Sequence, residues 1–223
     1  MVVPGILEDE ESWRQALAPL GREVLVLANR GESIPAMAAS LLDRAPARSV
    51  LLGHSLGGYV AQQAALTAPH RVAALALVST SARAETEASR EGRGALVAAA
   101  GDDFGAVTAK LARAALARES RAAWLERVEV MMLAGGAERF AREQHAAATR
   151  PTFAGRLGML ACPVLVLTGL ADAVITAEAS REIAAEVPGA RLVELAGGHM
   201  PHMESAGAFI AALDDWLASG QVL

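Results

Sequence analysis

Ser55 lies in Gly53-His54-Ser55-Leu56-Gly57-Gly58, after a short apolar run and at the head of a helical pattern. A serine hydroxyl becomes a nucleophile when a base takes its proton and an acid orients that base. Projected from a tight strand-to-helix turn, this serine must hold a sparsely populated backbone conformation. Side chains two residues before and after it would collide, so Gly53 and Gly57 lack a Cβ. The helix that follows points its N-terminus at the serine and favours negative charge on a bound reactant. Leu56 N–H is therefore one candidate oxyanion donor. The competing reading of the same residues is a glycine-rich helix entry with a capping serine.

Five histidines could serve as the base: His54, His70, His145, His199 and His202. His54 sits inside the turn, where its side chain is expected to point away into the surroundings of the sheet. His70 and His145 are expected at the surface. His199, in Leu195-Ala-Gly-Gly-His199-Met-Pro-His202, follows the last apolar run, and the glycines before it let a loop bend over the sheet edge. It is preferred to His202, which approaches the final helix and is left to line or cap the site. Asp172, in Thr168-Gly-Leu-Ala-Asp172, is the expected acid; its alternative role is a turn or helix cap. The loop after the preceding strand, Ser79-Thr80-Ser81, carries no acid. A second oxyanion donor is expected from Pro4-Gly5-Ile6-Leu7, at Ile6 N–H or, one residue on, Leu7.

These groups need a scaffold that brings distant loops to one edge. Six short β-type runs are expected, over residues 1–3, 23–28, 49–53, 73–78, 163–168 and 190–195. Most are continuously apolar, as parallel strands covered on both faces should be. Helical patterns span about 11–18, 34–44, 57–68, 177–186 and 205–218. Alternation of strand and helix predicts an α/β fold with an open, mostly parallel sheet of about six strands flanked by helices. Residues 82–156 break the rhythm with Ala/Arg/Glu/Leu-rich helical sequence, which predicts a helical lid inserted in a single domain over 1–223. Met131 and Met132 are the candidate substrate contacts there, with Leu133, Trp124 and Phe140 as further apolar wall; plain core is the alternative for all five. Arg83 is expected to be solvated.

Composition narrows the partners. The 223 residues carry a formal net charge of −5, and 53% are hydrophobic. With no basic stripe, neither nucleic acid nor an anionic membrane surface is an expected partner. Cys162, the one cysteine, cannot form an internal disulfide and is expected buried and inert. No basic leader and no apolar run of about 20 residues is present, so a cytoplasmic location is expected.

Gly-His-Ser-Leu-Gly-Gly, Gly-Leu-Ala-Asp and Gly-Gly-His-Met-Pro-His-Met-Glu together resemble the α/β-hydrolase superfamily, in particular its small bacterial esterase-like and acyltransferase-like members. The motifs occur in the order Ser–Asp–His that this fold uses, and the resemblance covers nearly the whole chain. It implies a serine-centred acyl-enzyme mechanism on a small-molecule ester or thioester, with no metal or organic cofactor. Three departures stand out: proline at position 4, where many members have histidine; a short loop at Asn29-Arg30-Gly31-Glu32-Ser33; and no leading N-terminal hairpin. Carbon–carbon bond hydrolysis, cofactor-free perhydrolysis and a non-catalytic binding protein are the other readings the same fold admits.

Overall fold

The computed structural model describes residues 1–219. Five parallel strands, β1 (Val2–Val3), β2 (Ser49–His54), β3 (Val72–Val78), β4 (Val164–Gly169) and β5 (Arg191–Leu195), lie side by side in chain order. Helices α1 (Glu10–Leu17), α2 (Ile34–Arg44) and α3 (Leu56–Thr67) precede or link the first strands. Four helices follow β3: α4 (Glu87–Asp102), α5 (Phe104–Ala115), α6 (Arg121–Gly135) and α7 (Ala137–Ala148). The chain then continues through α8 (Ala177–Glu186), the single turn α9 (Pro201–Glu204) and α10 (Ala206–Ala218).

Strand periodicity sorts the core. Leu51, Leu75, Leu77, Val164 and Val166 face one side, against α2, α3 and α8. Their neighbours Leu52, Ala76, Val78, Leu165 and Leu167 face the other, against Trp13 of α1 and Phe209 and Trp216 of α10. Successive residues of a strand point to opposite faces, so continuous apolar runs here supply two cores at once.

One expected strand is reduced to a single contact. Residues 23–28 give an isolated parallel bridge, Val26 to Val2, held by Val2 N–H to Leu25 O (2.8 Å) and Leu27 N–H to Val2 O (2.9 Å). Their only strand neighbour among the described residues, β1, has two residues and ends at Pro4, which has no N–H to extend a ladder. The sheet accordingly has five strands rather than about six.

Register places the loops. Val3 pairs with Gly53, and Gly169 with Leu195. Because every strand is parallel, the loop after β1, the turn at Ser55, the loop with Asp172 and the loop with His199 all leave from one sheet edge. Helices α4–α7 supply a third apolar cluster, which also takes in Leu7 and Met200 from these loops and Met203 from α9.

Candidate functional site

Ser55 joins β2 to α3 at φ +51°, ψ −115°, one of three non-glycine residues with positive φ among the described residues, along with Leu7 and Ser79. Neighbouring backbone enforces the turn. A Cβ on Gly57 would stand 2.0 Å from Val3 O, and one on Gly53 would stand 2.4 Å from Gly57 O. The expected collision is therefore real, but for Gly57 it is with the carbonyls of β1. Ser55 N–H donates to Val78 O (3.0 Å), and the Thr80 hydroxyl donates to Ser55 O (2.9 Å), so the strained residue is tied through both backbone polar groups to the end of β3 and the loop after it.

The structure brings the three singled-out side chains together. His199 Nε2 lies 2.9 Å from Ser55 Oγ, and His199 Nδ1 lies 2.8 Å from Asp172 Oδ2. Asp172 Oδ1 accepts from Val174 N–H (2.8 Å) and Ile175 N–H (2.9 Å), which leaves Oδ2 aimed at the imidazole. Burial alone would raise the Asp172 carboxyl, but His199 and the two N–H groups hold it below its ordinary value. His199 N–H donates to Ala115 O (2.7 Å), at the end of α5. Glu204 accepts from Gly198 N–H (2.9 Å), Met200 N–H (3.2 Å) and Ala117 N–H (2.8 Å), fixing the loop on both sides of His199.

From Pro4 to Glu8, the loop after β1 spends all its N–H groups but one. Pro4 has none; Gly5 N–H donates to Glu8 Oε2 (2.6 Å), and Leu7 N–H to Glu143 Oε2 of α7 (2.9 Å). Glu8 N–H turns back to Gly5 O (3.4 Å). Ile6 N–H has no acceptor among the described residues, so of the two positions expected here Ile6 has the free donor. Leu56 N–H, in the first turn of α3, lacks an intrahelical acceptor by construction.

A cavity of about 500 Å³ opens over Ser55 and His199. Ile6, Leu96, Leu111, Met132, Val174 and Met200 are among its apolar lining. Met131, Met132 and Phe140 all pack in the cluster of the inserted helices, and of the three only Met132 also reaches the cavity wall. Leu133 is exposed. Two cations line the same cavity. Arg93 is held by Glu85 Oε2 (2.5 Å) and Gln144 Oε1 (2.5 Å). Burial alone would raise the Glu85 carboxyl, yet bonds from Arg150 and Arg93 bring it down to about 2. Lys110 is exposed and has no ion-pair partner among the described residues.

His54, expected to point away from the site, is instead among the residues lining the cavity, with its ring buried in a polar cluster that no sequence motif marked. Its Nδ1 lies 2.8 Å from Glu8 Oε1, off the axis of an ideal hydrogen bond, and its Nε2 lies 2.7 Å from His199 O. Both side chains are about 2% exposed or less. Trp13 Nε1–H donates to Glu8 Oε2 (2.9 Å), and the His202 ring stacks on Trp13 at 3.9 Å. His202 is buried with neither ring nitrogen bonded, and burial pushes its pKa down to about 3. Glu8, His54 and His202 are the one group among the described residues whose atoms converge as metal ligands could. The fit is poor, because His54 Nε2 is taken up by the carbonyl oxygen of His199 and Nδ1 faces a Glu8 oxygen at 2.8 Å. His70 and His145 are exposed, and Cys162 is half-buried with its thiol pushed up by burial. Arg83 is largely exposed and pairs with Glu182 (2.5 Å).

Comparison with known proteins matches residues 2–206 to the family model described as alpha/beta hydrolase fold. A Klebsiella pneumoniae protein named as a carbamate hydrolase, RutD, is 30% identical over 200 residues, covering 85% of this chain and 74% of its own. The pimeloyl-[acyl-carrier protein] methyl ester esterase of Photobacterium profundum is 28% identical over 209 residues, covering 83% of this chain and 77% of its own. A solved thermophilic esterase from Thermogutta terrifontis superposes with a TM-score of 0.88 at 27% identity, over 99% of this chain and 89% of that one. No helix among the described residues is long and apolar enough to cross a membrane.

Proposed function

Since the chain belongs to the α/β-hydrolase family and is a hydrolase of esterase type, we propose that it cleaves carboxylic esters or thioesters of small, apolar acyl groups through an acyl-enzyme on Ser55. The observation that carries this reading is the unbroken line from Ser55 Oγ to His199 Nε2 (2.9 Å) and from His199 Nδ1 to Asp172 Oδ2 (2.8 Å).

His199 takes the Ser55 proton as Oγ attacks the acyl carbon. The oxyanion that forms lies between Leu56 N–H and Ile6 N–H, donors that need not reorganise as charge develops. His199 then protonates the leaving alcohol or thiol, so that an ester of Ser55 remains. In the second half it removes a proton from water, which attacks that ester, and the proton returns to Ser55 as the acid departs. Asp172, clamped by two N–H groups, keeps one imidazole orientation through both halves. A cavity of about 500 Å³ suits a small substrate. Met132 on its wall supports an apolar acyl group, whereas Met131, packed behind that wall, would act only by shaping it. Residues 82–156 serve as the cap, since α4, α5, α6 and α7 each contribute lining residues. The ester-directed names of the similar proteins favour an ester over a thioester.

Ser55→Ala is expected to lower turnover of a short-chain activated ester by at least about 10³-fold, with an unchanged circular dichroism spectrum. Labelling by a fluorophosphonate probe should disappear with it. Retained turnover or retained labelling would overturn the assignment.

A further inference from the structure

We propose that His54 is a resident imidazolium, paired with Glu8, which ties the oxyanion loop to the backbone of His199 and so positions the base against the nucleophile. The role rests on the Ser55–His199 reading above; the charge state does not.

The argument begins with proton counting. A carbonyl oxygen can only accept, so the 2.7 Å contact from His54 Nε2 to His199 O requires a proton on Nε2. Nδ1 stands 2.8 Å from a Glu8 oxygen, and two bare lone pairs do not approach so closely. The contact is off the ideal hydrogen-bond axis, but at this distance a proton, on the ring or on the carboxyl, is what offsets the repulsion. Glu8 settles which. Its other oxygen accepts from Gly5 N–H (2.6 Å) and from Trp13 Nε1–H (2.9 Å), and donors of this kind stabilise the carboxylate. The ring therefore holds two protons and the carboxylate none. Burial alone would push the His54 pKa down, but the Glu8 charge and the bond to His199 O raise it above its ordinary value. The groups that face the ring are Glu8, His199 and His202, with Asp172 further off; His202 is neutral and adds no competing charge.

The pair is also a mechanical link. Glu8 holds Gly5 N–H, one residue before the free Ile6 N–H, and His54 holds the carbonyl of His199 itself. Two loops that must meet the same reacting carbon, one after β1 and one after β5, are thus joined across β2 by one ion pair. This explains Gly5. A Cβ there would stand 2.9 Å from His54 Nδ1 and 3.2 Å from the Glu8 carboxylate, in contact with both partners.

The test uses the full chain with ¹⁵N-labelled histidine, the His54 signals being assigned by their loss in His54→Gln. Two ring N–H groups on His54 at pH 7.5, well above the ordinary 6.5, are expected; a singly protonated ring overturns the proposal, and this measurement needs no variant to fold. Glu8→Gln removes the counter-charge. It should return His54 to a neutral ring and lower kcat for a short ester by at least tenfold, with KM within twofold. Because Glu8→Gln keeps the shape of the side chain, unchanged kcat with a neutral ring would overturn the positioning role. Loss of Ser55 labelling in the unaltered chain would instead overturn the esterase reading, and would leave the NMR result standing.

Discussion

The sheet edge beneath Ser55 and the inserted helices above it are built to different tolerances, and their glycines show it. Under the site, a Cβ on Gly53, Gly57, Gly169 or Gly198 would meet backbone atoms at 1.9–2.6 Å. In α4, Gly92, Gly94 and Gly101 have nothing within 4 Å of that position. The same residue type is a requirement in one region and only a cost in helix propensity in the other. Reacting groups are fixed by backbone packed on backbone. The walls that meet the substrate are side chains on helices with room to change.

The sharpest way to break this contrast is Gly57→Ala. The new methyl would have to share space with Val3 O, so a loss of about 3 kcal/mol or more in urea unfolding is expected. A variant as stable as the parent would show that β1 can move away. Glu143→Ala probes the seam between the regions, where α7 caps Leu7 N–H and Arg139 also reaches Glu8 O (2.9 Å). Removing the buried acceptor should cost about 1–3 kcal/mol and lower kcat, with Glu143→Gln recovering most of both. Equal kcat in all three proteins would mean that the helices do not brace the oxyanion loop.

His202 offers a pH test of the sheet side. Its folded pKa, about 3, lies below the ordinary 6.5. Between these values the unfolded chain binds a proton that the folded chain refuses, so stability falls as pH falls from 6.5 towards 3. The slope is up to about 1.4 kcal/mol per pH unit. His202→Phe should flatten that limb, read from urea midpoints at pH 7, 5 and 4; parallel curves would contradict it. The smallest effect is expected in the helices. Gly94→Ala, interior to α4 and unobstructed, should stabilise by about 1 kcal/mol, seen as a raised Tm with kcat unchanged.

What could be read in the sequence followed the same division. Ser55, Asp172 and His199 each stand in a short motif after an apolar run, and parallel strands deliver such loops to one edge. The helix over 34–44 has the expected bounds because its cap is local, Ser33 Oγ accepting from Ala36 N–H, and the helix over 177–186 has them without a side-chain cap. The run 23–28 looked like any other strand; what it lacked was a long enough partner, and β1 stops at a proline. The Glu8–His54 pair was illegible for a different reason. Glu8 looks like an acidic residue ahead of a helix, and its partner is 46 positions away across β2. Met131 and Met132 could not be told apart, since one helical residue of rotation separates wall from core.

Lys110 is the only lysine in the sequence, and it stands exposed on the rim of the cavity. Among side chains, amine-directed reagents therefore have a single address. A dye coupled there would report entry of a molecule into the cavity by its own emission, and a bulky conjugate would obstruct the opening while every group around Ser55 stayed as it was.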